Sequence, residues 1–332
     1  MDFRLSSDQL ELAKSAKDFL SKQCSGDAVR RAFESEDGCD KDLYSKIAEL
    51  GWIGVAVPEE HSGAGLGLVE LAVVAEQLGY FNAPVPFFSN ACLAVPLLIA
   101  AGAHDEAQPV IEGKKNVAVV IDPEFVLDGH LAQAFIVTTD DELYLVDGKD
   151  AKVAVHLSLD GTRRAAKVEV AAGAGKSLGS SSVLQRVLDA ATVMLSAEMV
   201  GGMQWALDTT LEYARVRTQF GRPIGSFQVV KHRLADMLLK TESARSAAYY
   251  AAWANQASAD DAGYATSVCK AYVSDAAPWV AGECVQLHGG IGFTWEHDAH
   301  MYFKRSVTNA DLLGDAAFHR ERALMLSLSP SR

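Results

Sequence analysis

The sequence predicts a mainly α protein. Its parts are a helical N-terminal domain over 1–112, a reduced middle β domain with a linker over 113–182, and a C-terminal four-helix bundle over 183–332. Three observations predict this. Apolar residues recur at spacings of three and four through both ends of the chain, the period of one helix face. Near Gly113 the pattern changes to short β-branched runs separated by Asp-Gly and Asp-Pro, which is strand and turn punctuation. From about 183 onward come four long helical patterns with short connections, the signature of an up-and-down bundle.

Ser6 and Gln9 form a capping box ahead of a stripe of Leu10, Ala13, Ala16, Phe19 and Leu20. A second helix is expected over 41–50, striped by Leu43, Tyr44, Ile47 and Leu50 and stopped by Gly51. Residues 51–67, GWIGVAVPEEHSGAGLG, are too rich in glycine for a helix interior and read as a packed loop with Trp52, Ile53, Val55 and Val57 inward. Further helices are expected over 68–78, ended by Gly79, and over 87–101. Strands are expected over 117–121, 134–137, 143–146, 153–157 and 166–170, with turns at Asp128-Gly129 and Asp147-Gly148. Residues 171–182, AAGAGKSLGSSS, read as a linker. The bundle helices are expected over 183–213, 227–257, 261–287 and 298–326. Gly201-Gly202 and Pro278 lie inside two of them as kinks or close-packing points.

Composition narrows the function classes. The 332 residues are 49% apolar, enough for a real core and against disorder. A formal net charge of -13 disfavours nonspecific binding to nucleic acid, while allowing a local basic patch. Five scattered cysteines without a CxxC pair point to reduced thiols and a cytoplasmic protein. No signal peptide is visible at the start, and the longest apolar run, 91–101, is too short for a membrane span.

Two stretches carry chemistry. In YARVRTQFGRPIGSFQVVKHRL, 213–234, Arg215 and Arg217 end one helix just before Phe220, and a Gly-Arg-Pro turn leads into the next helix. Cations at a helix C-terminus are favoured by the helix dipole alone, so a solvated cap is one reading. In the other, Arg217 forks onto a phosphate while Phe220 covers an apolar ring. The second stretch, QLHGGIGFTWE at 286–296, supplies the amide of Gln286 and the bare backbone of Gly289 and Gly290, where a ligand can approach closely. His288 reads as a packed or hydrogen-bonding histidine. His297 and His300 share a helix face but lack the further ligands of a metal site, so no metal is expected. Met194, Met199 and Met203 read as core filling. HSGAG at 61–65 lacks the GxGxxG pattern, and neither GxSxG nor HExxH occurs.

The chain resembles the acyl-CoA dehydrogenase family through GWIGVAVPEEHSGAGLG at 51–67, YARVRTQFGRPIGSFQVVKHRLADM at 213–237 and QLHGGIGFTWEHDAH at 286–300. The resemblance implies a helical domain, a middle β domain and a four-helix bundle. It also implies FAD as cofactor, formation of the α,β double bond of an acyl-CoA thioester, a glutamate base, and electron-transfer flavoprotein as acceptor. By the same resemblance Arg217, Phe220, Gln286, Gly289 and Gly290 contact an FAD held mainly by a neighbouring subunit. The chain departs from the family in two ways. No TEPxAGSD-like or WITN-like segment, which would hold the flavin ring, occurs between Ile121 and Ala134. Leu313 and Ala191 occupy the two places where the family puts its glutamate, and neither side chain abstracts a proton.

The leading expectation is therefore the short subunit of a heteromeric enzyme, similar to actinobacterial α2β2 heterotetramers of steroid or bulky side-chain degradation. A full-length homologue would supply the ring-binding segments and the base, and no residue of this chain would be catalytic. One alternative is a self-sufficient homomeric enzyme using Asp315 or Asp189. Another is a non-catalytic helical scaffold, which the intact RTQFG and QLHGG stretches argue against.

Overall fold

A computed structural model describes residues 5–171 and 174–328. The chain divides into two compact units, one of Met1–Lys22, Ala72–Ala83 and Thr192–Arg332, the other of Gln23–Leu71 and Pro84–Ala191.

The second unit begins with short helices α2 (Gly26–Glu34) and α3 (Lys41–Glu49), capped by Ser25 and Asp40, whose side chains accept the amides of Ala28 and Leu43. Gly51 follows α3 at φ 75°, a left-handed position that glycine fills without strain. The 51–67 loop contains two single 3₁₀ turns, and Trp52, Ile53, Val55 and Val57 are buried. The expected helix over 87–101 is a π-helix, Phe88–Ala94, that passes into α5 (Val95–Ala100), followed by α6 (His104–Ile111). Buried Asn90 accounts for the π segment's role. Its amide donates to the carbonyl of Pro86 at 3.0 Å and to Asn116 at 3.0 Å, and its oxygen accepts the Val117 amide at 3.0 Å, tying the irregular turn to the first strand.

Two sheets follow. β1 (Val117–Val120) pairs in parallel with β3 (Ala134–Thr139), and β4 (Glu142–Asp147) and β7 (Lys176–Ser180) complete a sheet ordered β1-β3-β4-β7. β2 (Val126–Leu127), β6 (Ala165–Val170) and β5 (Ala151–Val155) make the other, ordered β2-β6-β5. Asp140 and Asp141, both at positive φ, form the two-residue hairpin between β3 and β4. Ala118, Val126, Phe135, Val146, Ala166 and Val168 form the core shared by the sheets. The expected linker over 171–182 is corrected: β7 lies within it. Its glycines serve the strand, with Gly179 at φ 92° beside the bulge at Leu143/Tyr144, and Leu178 is buried. Residues 172 and 173 of that stretch lie outside the described residues.

The first unit holds α1 (Ser7–Gln23), the greater part of α4 (Leu68–Tyr80) and the bundle. The capping box forms at Ser6 and Gln9, with bonds of 2.8 and 3.2 Å. Gly79 does not end α4, as its sequence position led one to expect. It is the point where α4 crosses α7 (Leu184–Val216): a Cβ at Gly79 would meet the Glu198 carbonyl oxygen at 1.8 Å, and one at Gly201 the Glu76 oxygen at 1.9 Å. Gly201 is thus a close-packing point inside an unbroken helix. Polar bonds tie α4 to α7 through Tyr80 and to the following bundle helix, Gln228–Gln256, through Glu76. Buried Glu76 accepts from Arg245 at 3.0 Å and from the Tyr249 hydroxyl at 2.8 Å, and Tyr80 donates to Asp208 at 3.1 Å.

The bundle continues through α8 (Gln228–Gln256) and α9 (Ala262–His288), the latter running uninterrupted through Pro278. The fourth expected helix is two, α10 (Ala299–Asp311) and α11 (Ala316–Leu328), broken where Leu313 and Gly314 take φ of 59° and 100°. A left-handed pair cannot continue a right-handed helix.

Candidate functional site

The C-terminal end of α7 and that of α9 lie side by side, joined by the Tyr213 ring stacked on His288 at 4.4 Å. Tyr213 stands four residues before Arg217 and His288 one before Gly289, so the structure brings the two motif stretches to one end of the bundle. The His288 Nδ1 donates to the Cys284 carbonyl at 2.7 Å, which fixes its tautomer and makes it a packed histidine. Burial pushes its pKa down, against the opposing pull of that hydrogen bond. His297 lies against it, ring centroids 4.3 Å apart, and also faces Trp205.

Beyond α7 the backbone turns sharply. β8 (Thr218–Gln219) and β9 (Arg222–Pro223) pair as a two-residue-loop hairpin, with Phe220 at φ 51° and Gly221 at φ 76° in the loop. The Ile224 amide closes it on the Arg217 carbonyl at 2.8 Å. Phe220 is 93% exposed. A phenylalanine held in a conformation suited to glycine and presented to solvent, with one edge contact to Phe227, contributes little to folding. Arg217 is exposed and makes no ion pair or side-chain hydrogen bond among the described residues, so it does not bond the helix carbonyls as a cap would. The Arg222 guanidinium instead packs on Phe227, 4.2 Å from the ring centroid.

On the α9 side, Gln286, Gly289 and Gly290 are exposed. A Cβ placed on either glycine would meet nothing within 4 Å, so the backbone there is an open cradle. The diphosphate and adenine side of FAD fits these residues: a free guanidinium for phosphate, a bare aromatic face for a ring, and accessible main chain for close approach. Among the described residues no group of three or more His, Cys, Asp or Glu side chains is placed to hold a metal.

The two positions expected to bear the base carry none. Ala191 is fully buried within α7. Leu313 sits in the strained turn before α11, which a buried lysine holds from beneath. The Lys270 Nζ donates to the carbonyls of Asn309, Ala310 and Gly314 at 3.1, 2.8 and 3.0 Å and to Ser274 at 2.8 Å. Burial pulls its pKa down to about 8. Of the alternatives, Asp315 is exposed and caps α11 by accepting the Phe318 amide at 2.8 Å, while Asp189 accepts from Gln185 at 2.9 Å. Sequence reasoning missed Lys270. Its only signal was a lone cation in an otherwise apolar and small-residue face of α9.

Burial pushes the thiols of Cys39 and Cys269 up to about 12 and that of Cys284 up to about 11, so none is a nucleophile at neutral pH. No helix among the described residues is long and apolar enough to cross a membrane.

Comparison with known proteins identifies the family. Residues 6–111 match the acyl-CoA dehydrogenase N-terminal domain, and residues 179–325 the acyl-CoA dehydrogenase C-terminal domain. The acyl-CoA dehydrogenase IpdE2 of Mycolicibacterium smegmatis is 38% identical over 89% of this chain and 91% of its own length. Among solved structures, a variant of the steroid acyl-CoA dehydrogenase Tcur3481-Tcur3483 superposes with a TM-score of 0.88 at 28% identity, covering 96% of this chain and 97% of that one. The ChsE4-ChsE5 complex of Mycobacterium tuberculosis gives 0.89 at 25% identity, covering 99% and 100%. With both helical domains matched and relatives aligned nearly end to end, the chain belongs to the acyl-CoA dehydrogenase family of oxidoreductases, whose cofactor is FAD.

Proposed function

We propose that this chain is the short subunit of a heteromeric FAD-dependent acyl-CoA dehydrogenase, and that it completes a cofactor site held mainly by a full-length homologue. One observation carries the proposal: Arg217 and Phe220 stand uncovered on a tight hairpin beside the open Gly289-Gly290 cradle. In this reading Arg217 binds diphosphate, Phe220 covers the adenine side, and Gln286 with the two glycine amides receives the remainder. The tripartite division at 1–112, 113–182 and 183–332 is the frame for these roles.

Bound FAD supplies hydride acceptance for forming the α,β double bond of an acyl-CoA thioester. This chain's residues position the nucleotide end of that cofactor. They abstract no proton, because Leu313 and Ala191 are inert and Asp315 is committed to a helix cap. The base and the flavin-ring contacts come from the partner subunit, in an α2β2 assembly that passes electrons to electron-transfer flavoprotein. The relatives named for steroid substrates or for two-chain complexes support a bulky, steroid-derived acyl group and a heteromeric state.

The test is purification of the chain alone and together with a genetically adjacent full-length homologue, each followed by a flavin absorbance spectrum. The expected result is yellow complex and colourless single chain. Stoichiometric FAD retained by the single chain through gel filtration would overturn the proposal in favour of a self-sufficient enzyme.

A further inference from the structure

A groove of about 490 Å³ lies where the end of α7, the base of the hairpin and the first turns of α8 meet. Its floor is apolar, formed by Leu211, Ala214, Pro223 and Leu234, and Arg215 and Lys231 stand on it. The helical period explains the lining. Leu211, Ala214 and Arg215 are spaced i, i+3, i+4 on one face of α7, and Lys231 and Leu234 are spaced i, i+3 on α8. Tyr213, stacked on His288 beside the cradle, lies roughly 200° around α7 from both Leu211 and Arg215, so the groove opens on the side of α7 away from the Gly289-Gly290 cradle. A nucleotide seated on that cradle does not fill it.

Both cations are exposed, and neither has an ion pair or side-chain hydrogen bond among the described residues. That distinguishes them from Arg233 and Arg245 of α8, which pair with Glu283 at 2.6 Å and Glu76 at 3.0 Å. Two unneutralised cations over an apolar floor, on a chain of net charge -13, form a site complementary to one kind of occupant: an acidic side chain flanked by apolar ones. The volume is in the range of concave recognition sites.

We propose that this groove receives an acidic, apolar-flanked segment of the full-length partner subunit, and that Arg215 and Lys231 anchor the heteromer from the side opposite the cofactor contacts. The proposal rests on the heteromeric reading above. It separates the two tasks of this region, with assembly on one side of the α7 end and cofactor completion on the other. Continuity favours the partner as occupant, since Pro223 belongs to the hairpin that carries Phe220.

The experiment mixes the full chain with its full-length homologue and reads assembly by analytical ultracentrifugation and FAD by visible absorbance. R215E/K231E is expected to raise the dissociation constant of the complex by about 30-fold or more. Wild-type assembly is expected to weaken with added salt. R217A is expected to keep assembly and lose FAD. Both altered side chains are exposed, and unchanged helical circular dichroism of the chain alone checks folding. The milder R215Q/K231Q is expected to give a smaller loss in the same direction. A dissociation constant for R215E/K231E within threefold of wild type overturns the proposal, while loss of FAD from R217A leaves the cofactor reading standing. Two other results also overturn it. Loss of self-association by this chain, with the mixed complex intact, makes a second copy the occupant. Loss of inorganic pyrophosphate binding by the single chain, with assembly intact, makes the groove a small-anion site.

Discussion

Phe220→Gly separates a residue kept for function from one kept for folding. The ring is 93% exposed in the chain and sits at φ 51°. Left-handed backbone costs a non-glycine residue about 1–2 kcal/mol, which glycine relieves. Glycine returns about 0.4–1 kcal/mol through the entropy of the unfolded chain. The edge contact of Phe220 with Phe227, centroids 6.2 Å apart, is lost as well, at about 0.5–1.5 kcal/mol for a well-formed pair and less for an exposed one. These terms cancel to within about 1 kcal/mol, so urea unfolding of the isolated chain is expected to change little. On the proposed reading, the ring covers the cofactor in the complex. Full burial of a phenylalanine stabilises by about 1.5–3 kcal/mol, so removing it weakens FAD binding roughly 10- to 100-fold. Flavin fluorescence on dilution of the complex measures this directly. FAD affinity within threefold of wild type, or a large loss of stability in the single chain, would refute the reasoning.

On the proposed reading Arg217→Ala removes a charge-assisted contact, and it is expected to cost about 2–5 kcal/mol of FAD affinity if that contact is desolvated in the complex, measured by the same dilution. D315N and D189N are expected to leave the rate of flavin reduction by acyl-CoA within a few-fold of wild type. In contrast, Asp315→Ala is expected to lower stability by about 1 kcal/mol through loss of the α11 cap. Abolished flavin reduction in either asparagine variant, with FAD still bound, would place a base in this chain. Lys270 predicts an unusual pH dependence. Its folded pKa of about 8 lies below the ordinary 10.5, so between those values the unfolded chain binds more protons and stability rises with pH. At about 1.36 kcal/mol per pH unit the rise is on the order of 3 kcal/mol, and it should be absent from the pH profile of K270M.

Much of the fold was legible because its causes are local. The Ser6-Gln9 box, the stop at Gly51 and the inward residues of the 51–67 loop each follow from a side chain or a φ preference in a few adjacent residues. The cofactor-contact candidates were legible for a related reason. Arg217, Phe220 and the Gly289-Gly290 pair have a chemistry that packing does not require, so they stand out in sequence. What was missed has distant causes. Gly79 resembled a helix stop because the sequence does not reveal a second backbone, at Glu198, approaching to within contact. The 171–182 stretch resembled a linker because glycine marks a bulged edge strand as readily as a loop. Leu313 carried no sign of positive φ, since the turn is imposed by the Lys270 bonds beneath it. The basic groove needed three separate segments to meet before Arg215 and Lys231 became neighbours.

The α4-α7 crossing at Gly79 and Gly201 also sets an order in time. Residues 72–83 leave the ribosome well before the larger part of their own compact unit, which resumes at Thr192. At about 5–20 residues per second, α4, whose Val73, Val74 and Leu78 are buried in the finished protein, waits several seconds for the bundle's share of its cover while the whole sheet region is synthesised. Glu76 meanwhile lacks the guanidinium of Arg245 that will neutralise it. The nascent chain therefore passes through a window of exposed apolar surface that ends only when the bundle has emerged. Chaperone demand during translation, and aggregation of chains truncated before α7, follow from a glycine-to-backbone contact in the finished protein.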